Sequence, residues 1–202
     1  MLATLFSFII GVLCAWWFSF YKSKLTEFIS ILVTIPLILP PTVLGYYLIL
    51  LLGRNSTLGS WMERITGDPV VFTWKAAVIA ATIAALPLLI RPIQSAFESV
   101  DIDTIKASRL DGAGKLQELL YIILPLSYKG VLAGVVLGFA RAMGEFGATI
   151  MVAGNIPGKT QTLSIAIYDA VQANRMSDAH LMVIILSGST FLFLYIIHRW
   201  IK

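Results

Sequence analysis

Charge is scarce in this chain: Asp, Glu, Lys and Arg make up 13% of its 202 residues, against 58% hydrophobic residues. Mean hydropathy is +0.86. Too little polar surface remains to coat a water-soluble globule of this size, so the chain is expected in a bilayer. Cysteine is nearly absent. Cys14 is the single one and lies inside an apolar run, which excludes an internal disulfide and a cysteine metal cluster. The two histidines, His180 and His198, stand near opposite ends of one apolar stretch; neither has a partner at ligand spacing, so no metal site is expected. The net charge of +4 comes from fifteen Lys and Arg scattered between apolar runs. With no basic stripe and no interleaved aromatics, nucleic acid is not an expected partner. Internal repeats and low-complexity runs are missing too, and residues 1–202 read as one domain.

A transmembrane helix needs about 20 apolar residues to cross roughly 30 Å of hydrocarbon. Five stretches meet that need: Leu2 to Phe20, Phe28 to Leu52, Val70 to Ile93, Ser127 to Val152 and Ala179 to Ile201. The first lacks the basic leader and small-residue cleavage site of a signal peptide and reads as a retained span. Its abrupt start at Met1 leaves either a span shortened at its outer end or residues missing upstream. The second carries Pro36, Pro40 and Pro41. Each removes a backbone donor, so a kink or unwinding is expected, as in a helix lining a pathway or in a plain packing kink. In the third, Lys75 near the start and Pro87 and Pro92 near the end predict a span whose ends bend at the interface.

Lys and Arg are retained on the cytoplasmic side. With the polar stretch from Asp101 to Pro125 inside, the inner cations are Lys22, Lys24, Arg91, Lys106, Arg109, Lys115, Lys129, Arg199 and Lys202, and the outer ones Arg54, Arg64, Lys75, Lys159 and Arg175. That imbalance favours the assignment. Five spans then place the N-terminus outside and the C-terminus inside. The outer loops, Gly53 to Pro69 and Ala153 to Asp178, are short and are expected to carry no domain of their own.

Residues 101–125 read DIDTIKASRLDGAGKLQELLYIILP. Lys106, Ala107 and Ser108 precede Asp111, Gly112, Ala113 and Gly114; Leu116, Leu119, Leu120 and Ile123 follow at helical spacing, then Leu124 and Pro125. This predicts a short helix with a small-residue face at Ala107 and Ser108, a glycine stop, and an amphipathic helix returning to the membrane. A partner surface could approach the backbone closely there; a helix merely lying on the headgroups is the alternative. Arg141 and Glu145 form the one charged pair well inside a span. Four residues apart, they are predicted on one helix face, either lining a path or neutralising each other to orient helices. Gly130, Gly134, Gly138 and Ala142 recur every four residues and predict a groove for close helix contact, within the subunit or between two copies. Gly158-Lys159-Thr160 suggests a phosphate loop, but the glycine that motif needs is replaced by Ala153.

The run from Lys106 to Gly114, with Leu124-Pro125 at its distance, resembles the EAA loop of membrane subunits of bacterial ABC importers. Lys106 stands where that pattern usually has Glu, and Ser108 where it often has Ala. Arg141 to Thr149 (RAMGEFGAT), Asn155 to Thr160 (NIPGKT) and Leu39 to Gly45 (LPPTVLG) are similar to molybdate permeases, and sulfate and tungstate permeases carry related glycine-glutamate motifs. The resemblance implies an all-α integral membrane protein of about five transmembrane helices with a cytoplasmic coupling helix, the type I importer permease fold. It implies no catalysis and no cofactor bound by this chain, ATP and Mg2+ being used by a partner ATPase. It further implies a homodimer in the cytoplasmic membrane, cytoplasmic ATPase subunits and an extracytoplasmic oxyanion-binding protein as partners, and molybdate as substrate, with tungstate or sulfate as alternatives. The expected coupling residues are Lys106, Ala107, Ser108, Asp111, Gly112, Ala113, Gly114, Leu124 and Pro125. Pro40, Pro41, Arg141, Gly144, Glu145, Phe146 and Gly147 are the expected path or gate. Two rivals from other classes are an ion-coupled transporter using Arg141 and Glu145 as a relay and a non-transporting scaffold. The first finds neither repeated halves nor many intramembrane ionisable groups to support it.

Overall fold

Among the described residues every regular element is helical. The computed structural model describes residues 1–201; Lys202, counted among the inner cations, lies outside them, and so does the side chain of His198. In chain order the helices are α1 (Leu2–Phe20), α2 (Lys24–Ile38), α3 (Pro41–Leu52), α4 (Thr57–Thr66), α5 (Trp74–Glu98), α6 (Ile102–Leu110) and α7 (Lys115–Glu118). A π-helical turn, Leu119–Ile123, leads into α8 (Leu124–Leu126), then α9 (Tyr128–Met143), α10 (Gly147–Ala153), α11 (Leu163–Gln172) and α12 (Met176–Ile201). Local chemistry explains several boundaries. The hydroxyls of Ser23, Ser56 and Thr162 accept from backbone N–H groups of the first turns of α2, α4 and α11. Gly67, at φ 78°, closes α4 in the left-handed region.

Among the described residues three helices are individually long and apolar enough to cross a bilayer: α1, α5 and α12 over Met176–Ile197. The two other expected spans are each divided. Phe28 to Leu52 becomes α2 and α3, separated at Leu39-Pro40, because a residue before proline is driven to extended backbone and Pro41 can only begin a helix. Ser127 to Val152 becomes α9 and α10, parted at Gly144 to Phe146. Sixteen residues of α9 span about 24 Å, short of the hydrocarbon, and α10 supplies the rest. In the third span Pro87 and Pro92 both lie inside one helix, which runs on past the expected end at Ile93 to Glu98.

The reason is packing on both sides of α5. Ser7 Oγ donates to Thr82 O (3.3 Å) and Ser19 Oγ to Gln94 O (3.4 Å), so α1 runs parallel to α5. On its other side α9 runs antiparallel. A Cβ on Gly130 would lie 2.2 Å from that of Ala96, on Gly134 2.7 Å from Leu89 O, and on Gly138 2.9 Å from Leu89 Cδ1. The four-residue glycine repeat therefore packs α9 on α5 within the subunit. In lipid, where hydrocarbon is as apolar as Leu, such close van der Waals contact is what holds helices together. Leu89, Ile90, Ile93 and Phe97 of α5 are fully buried at its centre. A second cluster joins Leu44, Leu48 and Leu52 of α3 to Ala76, Ala80 and Ala84 of α5 and Ala148 and Val152 of α10. Helix α12 lies outermost, touching the bundle through Phe139 and Phe193, whose ring centroids are 3.7 Å apart. The connections from Gly53 to Pro69 and from Ala153 to Asp178, expected on the outer side, contain the helices α4 and α11.

Candidate functional site

The polar interruption forms a folded bracket at the joint end of α1 and α5. Asp101 caps α6 by accepting from Asp103 N–H (3.0 Å). The helix stops at Gly112, with φ 87°; Gly112 N–H donates to Arg109 O and Ala113 N–H to Ser108 O (3.0 Å), the paired bonds of a Schellman stop. Nothing lies within 4 Å of where a Gly112 Cβ would stand, so glycine serves its backbone angle alone. Gly114 N–H donates to Gln117 Oε1 (2.9 Å) as α7 begins. Leu124 N–H then reaches back to Leu119 O, giving the π-turn. Pro125 has no N–H to offer, and after Ser127 the chain bends by 84° into α9.

Ile105, Leu119 and Ile123 anchor the bracket in the core beside Phe97. Its two limbs are joined by a bidentate pair: Arg109 Nε donates to Glu118 Oε2 (2.7 Å) and Nη2 to Oε1 (3.0 Å). The Glu118 side chain is only 3% exposed, that of Arg109 54%. The Glu118 hydrogen bond, then its charge, raise the Arg109 pKa above its ordinary value. Lys115 Nζ sits 5.0 Å from the centre of the Tyr21 ring, tying the second limb to the end of α1. Outward, Lys106, Ala107, Asp111, Gly112, Gly114 and Pro125 are exposed, as are Leu110 at 90% and Leu116 at 62%. Two expected surface residues face elsewhere. Ser108 is buried and donates to Ile105 O (2.8 Å), because it lies three residues from the anchoring Ile105 on the same side of α6. Leu124 packs against the core. Lys106 pairs along its own helix with Asp103 at 2.9 Å.

The expected gate residues also come together, by a different geometry. Glu145 is not on a helix face with Arg141; it stands in the break after α9. Its Oε1 accepts from Ala148 N–H (2.8 Å) and so caps α10, while Arg141 Nη1 lies 2.6 Å from Oε2, a charge contact not aligned as a hydrogen bond. The carboxylate is 1% exposed and the Arg141 side chain 23%. Beside this break lies the other one. A Cβ on Gly147 would fall 2.7 Å from Pro41 Cβ, and one on Gly45 2.6 Å from Met151 Cβ, so α3 and α10 start side by side and run together. From α11, Ser164 Oγ donates to Met143 O (3.0 Å) and Tyr168 packs its ring 5.0 Å from that of Phe146.

Sequence reasoning did not single out Glu118, Arg109 as its partner, Ser164 or Tyr168. Glu118 had a signal, a lone carboxylate among Leu116, Leu119 and Leu120; the α11 residues had none, since their partners Met143 and Phe146 are 21 and 22 residues away. The Gly158-Lys159-Thr160 loop is closed on itself: the Thr160 hydroxyl accepts from Ile156 N–H (3.1 Å) and donates to Gly154 O (3.4 Å).

Comparison with known proteins places this geometry. The chain is 41% identical over 194 residues to the putative molybdenum transport system permease protein YvgM of Bacillus subtilis, covering 95% of this chain and 84% of that one. It is 36% identical over 200 residues to the molybdenum transport system permease protein ModB of Escherichia coli strain K12, covering 99% and 87%. Its fold matches a chain of the MetNI methionine ABC transporter, solved in inward-facing conformations, with TM-score 0.71 over 98% of this chain and 88% of that one, at 18% identity. Residues 7–202 match the family described as binding-protein-dependent transport system inner membrane component, and the chain belongs to that family.

Proposed function

We propose that this chain is the membrane-spanning subunit of a molybdate importer driven by a separate ATPase. The observation that carries the reading is the bracket from Asp101 to Pro125: a rigid polar unit, clamped internally by Arg109 and Glu118, rooted in α1 and α5, and presenting Ala107, Leu110 and Leu116 outward. Identity of 41% and 36% to molybdenum permeases over nearly the whole chain supports the substrate. In this reading the ATPase grips the outward residues, with Lys106 offering it a cation that is partly held by Asp103. A rigid bracket moves as one piece, so force applied there reaches the core through Ile105, Leu119 and Ile123. The breaks at Leu39-Pro40 and Gly144 to Phe146, which lie side by side, are where the α2–α3 and α9–α10 spans can bend. Exposed Pro40, Pro41 and Gly144 suit a boundary shared with a second copy, with the path between the two. Binding of ATP by the partner favours one access state through differential contacts at the bracket. An oxyanion-binding protein delivers the substrate on the opposite side. Glu145 has the wrong sign to hold an oxyanion; its role is to cap α10 and hold Arg141.

Proteoliposomes carrying the subunit with its ATPase and binding protein should accumulate molybdate only with ATP, and tungstate should compete better than sulfate. Uptake that persists without the ATPase would sink the reading. Ala107→Trp should abolish copurification of the ATPase and leave membrane insertion intact; normal copurification would remove the bracket from the docking surface.

A further inference from the structure

Helix α4 has three faces. Turning by about 100° per residue, it sets Gly59, Met62 and Glu63 on one side, and that side meets the protein. A Cβ on Gly59 would lie 2.2 Å from Gly53 O and 2.5 Å from Leu52 O, Met62 packs into the cluster of Leu48 and Leu52, and Glu63 holds Arg54 at 2.9 Å. The second side, Thr57, Ser60 and Arg64, is polar. The third is apolar and uncovered: Leu58 is 45% exposed, Trp61 58% and Ile65 64%.

The Gly59 contact fixes the level of this helix. It rests directly on the last turn of α3, an apolar helix, and the chain enters the spanning α5 only eight residues after α4 ends. So α4 lies where hydrocarbon gives way to headgroups, a depth at which Trp side chains collect, and Trp74 is 53% exposed at the start of α5. A strip of three side chains also falls well below the roughly 800 Å² per partner of a stable protein interface. We propose that α4 is an interfacial anchor, its Leu58, Trp61 and Ile65 face covered by lipid at the boundary of acyl chains and headgroups, and its Thr57, Ser60 and Arg64 face turned to water and phosphate. The outer end of the α2–α3 limb is thereby held at constant depth, and bending at Leu39-Pro40 displaces α2 relative to it. Neither the identity of the transported anion nor the ATPase enters this inference.

The test uses the full chain in phospholipid vesicles with Cys14→Ala, and single cysteines replacing Leu58, Trp61 or Ile65 in one set and Thr57, Ser60 or Arg64 in the other, each carrying a fluorophore. Quenching by lipid-attached nitroxide should be at least twofold stronger in the first set, and quenching by aqueous iodide at least twofold stronger in the second. Equal patterns in both sets would overturn the anchor, and so would a first set shielded from both quenchers, which is the mark of a protein partner or a second copy. Should labelled variants fail to insert, the unlabelled protein gives an independent reading in brominated lipid: Trp61→Phe should remove a measurable share of the quenched tryptophan emission, and no loss would count against the proposal.

Discussion

A carboxylate with 3% of its side chain exposed cannot be left without its counterion cheaply, and this makes Arg109 and Glu118 the sharpest test of the bracket. Glu118→Gln should lower stability by about 1–2 kcal/mol, less than for a fully buried pair because Arg109 is half in solvent. The same change should leave ATPase binding in place yet reduce uptake per ATP hydrolysed, and the exchange Arg109→Glu with Glu118→Arg should restore part of it. Failure of any single change to alter that ratio would make the pair merely ornamental. At Glu145 the two functions separate: Gln keeps an acceptor for Ala148 N–H but loses the charge facing Arg141, whereas Ala loses both. Glu145→Ala should cost about 1 kcal/mol more than Glu145→Gln in thermal unfolding in detergent. That Arg141 and Glu145 meet was legible from their place inside an apolar run. The cap on α10 was not, because it depends on the helix ending between them.

Among the elements, the contact of α9 on α5 sets the framework. Gly134→Ala forces a methyl toward Leu89 O and Ile93 Cγ1, both 2.7 Å away, and should destabilise by about 1–3 kcal/mol. Gly188→Ala in α12 meets nothing within 4 Å and should be neutral or stabilising by up to about 1 kcal/mol. Melting temperatures of the two variants measured side by side decide the matter; equal shifts would deny the close packing. The four-residue glycine repeat announced such a contact but not its partner. Prolines were legible only in part. Pro40 and Pro41 break their limb because two adjacent rings leave no helical route through Leu39, while isolated Pro87 and Pro92 are carried within a helix gripped from both sides by α1 and α9. The break at Gly144 to Phe146 had no proline to mark it.

For the whole molecule, the parallel run of α1 with α5 and the antiparallel run of α9 put the bracket at one end and Arg64 and Lys75 at the other. With Cys14→Ala, a cysteine at Lys106 should react with an impermeant maleimide only from the cytoplasmic side, and one at Arg64 only from outside; the reverse pattern would invert the topology. The expected sidedness follows from the bias of Lys and Arg, and residue order by itself determined that the chain is helical, lies in a membrane and carries one polar bracket between apolar segments. Apolar length and charge are properties of segments, and they are readable without contacts. Only the tertiary structure decided which limbs break, that Ser108 turns inward while Leu110 and Leu116 turn out, that Arg109 clasps Glu118, and that the breaks at Pro40 and Glu145 lie side by side. Each of these rests on groups brought together across turns or between distant helices, where local propensity is overruled by the cost of an unpaired charge and by the space a side chain can occupy.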